Sequence, residues 1–148
     1  RAAVRQIPDG VYHAESFMDD DGVNFGKHVP IKVRVEVAGD DMTIDLSGVS
    51  PQVAGFYNSG PTAGRSAAEL VFKCITTPLL LPINEGSFRP LKIILPPGRV
   101  ISAIKPAPVN QSGRTRLRVA ISMVQSDNKL QNIENDACTI IERIISSN

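Results

Sequence analysis

Two groups of polar residues in this sequence have the types and spacing for chemistry. The first runs through Asp45, Ser47, Ser50, Asn58 and Arg65; the second is Asn84, Glu85 and Arg89. Each sets an arginine and a carboxylate beside glycine-rich backbone. An arginine fork with carboxylates and open main-chain amides suits a polar amide or a carboxylate ligand. Each residue also has a purely structural reading. Asp45 pairs with Arg34 across a hairpin, Asn58 fixes a turn, and Glu85 and Arg89 satisfy each other within one loop. Nothing among them can be assigned as acid, base or nucleophile.

Other motifs are excluded on spacing. Asp19-Asp20-Asp21-Gly22 resembles the start of a calcium loop, but the closing Glu at position twelve is replaced by Pro30. It reads as a solvated turn. Gly22 to Lys27 is one residue too short between its glycines for a phosphate loop, and His28 stands where Ser or Thr would hold magnesium. His13 and His28 lie far from other ligand types, so no metal site is nominated. Nucleophile elbows and dinucleotide fingerprints do not occur.

The elements that must position the two groups are legible from periodicity. Ile7-Pro8-Asp9-Gly10 is a turn, and Val11 to Met18 is a strand with no clean apolar face. Ile31 to Val37 alternates strictly, and after Ala38-Gly39-Asp40-Asp41 the alternation resumes at Met42, Ile44 and Leu46. This predicts an antiparallel hairpin with Val37 opposite Met42, Val35 opposite Ile44, Val33 opposite Leu46 and Arg34 opposite Asp45. Gly48 to Gly64 is a long ordered loop. Ser66-Ala67-Ala68-Glu69 is a capping box, opening a helix whose stripe is Ala67, Leu70, Val71, Cys74 and Ile75, stopped by Pro78. Short strands are expected over Leu91 to Leu95 and Val100 to Ile104. Thr115 to Val124 reads as a strand with Arg114, Arg116 and Arg118 on its polar face. Ser126 to Ser146 reads as a helix that docks on its own domain or pairs with a second copy. The expected fold class is α+β: a mostly antiparallel sheet, one internal helix packed on a face, and a C-terminal helix. If hairpin and internal helix pack together, both polar groups fall at one end of the set.

Composition limits the function classes. In 148 residues, 16 Lys and Arg against 15 Asp and Glu give a net charge of +1, so no bulk field draws in nucleic acid or an acidic membrane. No apolar run is long enough to span a bilayer. Cys74 and Cys138 have neither the number nor the spacing of a disulfide framework or a zinc site, and read as reduced thiols in a cytoplasmic setting. A start at Arg1 without Met, with the first strand close behind, reads as a piece of a longer protein.

Over Ile7 to Val109 the sequence resembles the hydantoinase B/oxoprolinase family. The stretches that carry this are IPDGVYHAESFMDDDG, IDLSGVSPQVAGFYN, RSA at the head of the helix, and INEGSFRPLKIILPPG, in order and with sensible spacing. No family motif is visible from Gln111 to Asn148. Residues 1–109 therefore form the family-like part, and 110–148 a strand and helix belonging to the same domain.

The resemblance implies the B-type chain of an ATP-dependent enzyme that opens a cyclic amide, a hydantoin or 5-oxoproline. Such rings resist plain hydrolysis. It further implies an A-type partner chain or region that carries the nucleotide, and a divalent metal held upstream of this segment. The chain alone is then inactive, with no cofactor of its own. Matched positions with ligand or scaffold roles are Asp45, Ser47, Gly48, Asn58, Arg65, Asn84, Glu85, Gly86 and Arg89. Two alternatives stay open: the related subunit of an acetone-type ketone carboxylase, and a non-catalytic module that docks subunits.

Overall fold

The computed structural model describes residues 1–76 and 84–110. Strict alternation in Val29–Ala38 (β2) puts Val29, Ile31, Val33, Val35 and Val37 on one face, and all five are buried. The flanking strands Gly10–Met18 (β1) and Asp41–Asp45 (β3) both pair antiparallel with β2. Val37 faces Met42, Val35 faces Ile44 and Arg34 faces Asp45, as the alternation predicts. The connection is tighter than expected: Ala38 pairs with Asp41, so only Gly39 and Asp40 turn, with Gly39 at φ +62°. The expected Val33–Leu46 pair does not form, because the ladder stops at Asp45 and the Leu46 N–H donates to Ile94 instead (2.9 Å).

That bond belongs to a strand the antiparallel expectation did not accommodate. Leu91–Ile94 (β4) lies beside β3 in parallel, giving the order β1-β2-β3-β4 and a mixed sheet. A parallel neighbour needs a crossover, and Pro61–Thr76 (α1) supplies it. The fold is thus α+β, with one β-α-β unit beside an antiparallel meander. The expected C-terminal helix and the strand over 115–124 lie outside the described residues.

The helix also begins five residues before Ser66. The Gly60 carbonyl accepts from Ala63 and Gly64, and Pro61 takes the first helical position, where its missing N–H costs nothing. Ser66 is therefore interior, and the expected capping box does not form: Glu69 accepts from Arg65 one turn earlier (2.9 Å). The earlier start also shifts the inward stripe. Gly64, Ala67, Ala68, Val71 and Phe72 are buried, whereas Leu70, expected in the stripe, is exposed. Gly64 is the point of closest approach, since a Cβ there would lie 2.6 Å from the Ile101 carbonyl oxygen.

One core joins these elements: Tyr12 and Met18 of β1, the inward residues of β2, Met42 and Ile44 of β3, the helix stripe, and Val4, Leu46, Val49, Val100 and Ile101. Val100 to Ile104 is not the strand expected of it. Its backbone bonds go to two separate partners, Val100 to Ser50 and Ser59, Ala103 to Ser59, while Ser102 turns back on Arg99. This segment clamps the loop between β3 and α1. No helix among the described residues is long and apolar enough to cross a membrane.

Candidate functional site

Because β3 and β4 run parallel, the C-terminal end of β3 and the segment before β4 lie at opposite ends of the sheet. Asp45 ends β3 beside Ile94, whereas Arg89 and Pro90 precede Leu91, which pairs with Met42. The expectation that both polar groups share one end is thereby overturned. Three residues of strand, about 10 Å, separate the two levels.

The Asp45 end is scaffold. The Asp45 carboxylate accepts from the Ser47 N–H (2.8 Å), closing a local turn. Arg34, directly opposite, pairs with Glu36 of its own strand instead (2.8 Å). Asn58 is wholly buried and fully engaged: its Oδ1 accepts from Val53 N–H (2.8 Å), and Nδ2 donates to the carbonyls of Val53, Gly55 and Pro108 (2.7, 2.9 and 2.9 Å). Arg65 is exposed and held by Glu69. Within this group, the hydroxyls of Ser47 and Ser50 and part of Asp45 are without a partner among the described residues.

The other end forms a cleft of about 510 Å³, lined by Arg1, Ala3, Phe72, Lys73, Thr76, Asn84, Gly86, Ser87, Arg89 and Pro90. Asn84 caps the turn Glu85–Phe88, its Oδ1 accepting from the Ser87 N–H (3.1 Å) and hydroxyl (3.3 Å). Phe88 packs toward Phe72 with ring centroids 6.3 Å apart, and the Pro90 carbonyl accepts from Met42 N–H (2.8 Å). Helix and sheet thus both fix the segment that carries Arg89. Glu85 and Arg89, expected to satisfy each other, form no ion pair; Glu85 is exposed and does not line the cleft. Among the described residues the charged side chains lining it are all cationic: Arg1, Lys73 and Arg89. Sequence reasoning singled out Asn84, Gly86 and Arg89 but missed Arg1, Lys73, Thr76 and Ser87. A helix registered on Ser66 left Lys73 off its inward stripe, and only a lysine next to a buried Phe hinted otherwise.

The Asp19–Gly22 turn is not merely solvated. Asp21 is buried, and its carboxylate accepts from the N–H groups of Val23 (2.9 Å) and Asn24 (2.6 Å) and from the Asn24 amide (2.8 Å). The Asn24 N–H, the Asn24 side chain and the Val23 N–H hold its carboxyl down to about 2, against burial, which acts the other way. The unfolded value is 3.8, so the stability Asp21 contributes is complete above that pH and lost as pH falls through about 2. We expect Asp21→Asn to lose stability less steeply than the wild type between about pH 4 and about pH 2, read as urea midpoints across that range. The arrangement also bears on nucleotide. Asp21 fills with its own negative charge the backbone N–H groups a phosphate would need, and β2 rather than a helix follows the loop. These residues do not fit a nucleotide. Among the described residues no three of His, Cys, Asp and Glu gather closely enough to hold a metal ion.

Comparison with known proteins places these features in a family. The family model described as Hydantoinase B/oxoprolinase matches residues 1–129, running past Val109, where the visible motifs end. The chain is 36% identical to a putative B-type D-/L-hydantoinase subunit of Pseudomonas sp. (strain NS671), over 73% of this chain and 20% of that one. It is 33% identical to the beta subunit of caprolactamase from Pseudomonas jessenii, over 73% of this chain and 18% of that one. The crystal structure of the ATP-dependent caprolactamase from Pseudomonas jessenii superposes with a TM-score of 0.73 at 28% identity, covering 86% of this chain and 23% of that chain. The chain thus spans about a fifth of the length of these two curated relatives.

Proposed function

The chain belongs to the hydantoinase B/oxoprolinase family, and from that premise we propose that it is part of the B-type subunit of an ATP-dependent enzyme that opens cyclic amide rings. The observation that carries this reading is the family match over residues 1–129, joined to relatives named for a hydantoinase and a caprolactamase. Hydantoins, 5-oxoproline and lactams share one reactive group, an amide closed into a ring. Opening it adds water's oxygen to the carbonyl carbon, breaks the C–N bond and leaves the proton on nitrogen. Amide resonance opposes the attack, and ATP supplies the driving force in the complete assembly.

The contribution of this chain is placement. The resemblance assigns ATP, with a divalent metal, to an A-type partner or to other parts of the assembly, and the loop after β1, its N–H groups taken by Asp21, gives a nucleotide phosphate no seat there. The chain alone is inactive. A cytoplasmic setting is part of the same reading, resting on the two widely spaced cysteines of the sequence, Cys74 and Cys138.

Chromatographic detection of ring-opened product from hydantoin, 5-oxoproline and caprolactam tests the reading, using the complete B-type protein with its A-type partner and ATP. We expect product from at least one ring with the assembly, and none from the 148-residue chain alone. Turnover only of a ketone with bicarbonate would replace the reading with the carboxylase branch. Partner binding without turnover of any of these would leave a docking module.

A further inference from the structure

The cleft before β4 is lined by a lysine whose stem is buried and whose charge no carboxylate among the described residues neutralises. Lys73 is 9% exposed, in the last turn of α1, and among those residues it makes no ion pair or hydrogen bond. The stem packs away from water while the ammonium stays wet, so the charge faces the cleft, where the charged side chains among the described residues are all cationic. Part of the explanation is the helix C-terminus, whose carbonyls favour a cation there by about half an elementary charge. That accounts for one lysine at most, and an exposed position in the same turn would serve as well. It does not account for Arg89, which is likewise without an ion pair among the described residues and lines the same cleft from a separate segment, nor for Arg1 beside them. Arg1 is partly satisfied by Asp40 and Asp41 at 3.6 and 3.9 Å. Lys73 and Arg89 are not.

We propose that this cleft binds a small oxyanion, a carboxylate or a phosphate group, between Lys73 and Arg89. The Arg89 fork gives two parallel N–H donors, and Lys73 a compact point charge on a stem packed in the core. Asn84 spends its Oδ1 on Ser87, which leaves both N–H groups of its amide as donors. Phe72 and Pro90 form an apolar wall, so the site suits an anion carried on a short uncharged body. The inference rests on the cleft's own chemistry and not on the ring-opening reading, which stands on family membership.

Amide NMR shifts of the purified 148-residue chain test it, with inorganic phosphate and n-butyrate titrated separately at constant ionic strength. We expect saturable shifts at Lys73, Asn84, Ser87 and Arg89 with at least one probe. Phosphate alone assigns a phosphoryl group, butyrate alone a carboxylate, and both a site read by charge only. Arg89→Gln should weaken binding about tenfold with an unchanged melting temperature, because the side chain is exposed and unpaired among the described residues. Lys73→Met should weaken it similarly while keeping the buried stem; if that variant unfolds, Arg89→Gln decides alone. No saturable shift with either probe, or affinity unchanged in Arg89→Gln, overturns the proposal.

Discussion

Gly55→Ala destabilises the fold by about 3 kcal/mol or more, a large part of the roughly 5–15 kcal/mol that holds an ordinary domain together. A Cβ on Gly55 would lie 1.5 Å from the Asp21 carbonyl oxygen and 2.6 Å from its carbon. Neither atom belongs to a side chain that can swing away. The loop of residues 19–28 must lift off the loop before α1, and the buried Asp21 carboxylate goes with it. Gly10→Ala is the control. Its Cβ would meet only the Tyr12 ring at 3.7 Å, and the backbone is ordinary strand, so stability changes by less than about 1 kcal/mol. Urea unfolding of the two variants separates them; equal midpoints would show that the two loops are not in contact.

Asn58→Asp costs about 4 kcal/mol at neutral pH, although it replaces a single NH2 by oxygen. Asn58 is the joint of the long loop. Its amide nitrogen faces the carbonyls of Val53, Gly55 and Pro108, tying the loop before α1 to the segment after β4. An aspartate would set a wholly buried negative charge against three carbonyl oxygens, with only the Val53 N–H in its favour. Asn58→Ala removes the same bonds without the charge and costs less, about 2 kcal/mol. The Asn58→Asp protein should also recover stability as pH is lowered, because protonation relieves the repulsion. Denaturant unfolding at neutral and acidic pH checks both points. An Asn58→Asp protein as stable as wild type would return Asn58 to the ligand-facing residues.

What the sequence reveals of this fold follows how local the signal is. The register of the β2–β3 hairpin was legible, though not its two ends, since a slip of one would turn Val35 and Ile44 out to solvent. The helix was legible but its start was not. Ser66 and Glu69 have capping spacing, yet Gly60-Pro61 begins the helix, and the choice depends on Gly64 packing against Ile101. The parallel pairing of β3 and β4 is a long-range fact, set by where α1 delivers the chain. No periodicity in Leu91–Ile94 announces it. The cleft inherits that limit: Arg89 was singled out from its loop, but its meeting with Lys73 follows only once the crossover is known. Arg34 and Asp45 sit opposite as expected and still do not pair, because Glu36 is the nearer partner. Family membership was legible because it rests on several ordered motifs and needs no packing.

The polar side chains of the structure therefore divide. Asp21, Asn58 and the Asn84 carbonyl hold loops in place, and Lys73 and Arg89 remain uncommitted among the described residues. The proposed ring-opening activity of the complete assembly is tested separately from this division. The most direct measurement is the ratio of ADP formed to ring opened by the complete B-type protein with its A-type partner. Equal amounts of the two, and neither when ATP or the ring is withheld, is the predicted result. Ring opening at an undiminished rate without ATP, or ADP accumulating only with a ketone and bicarbonate, would contradict it.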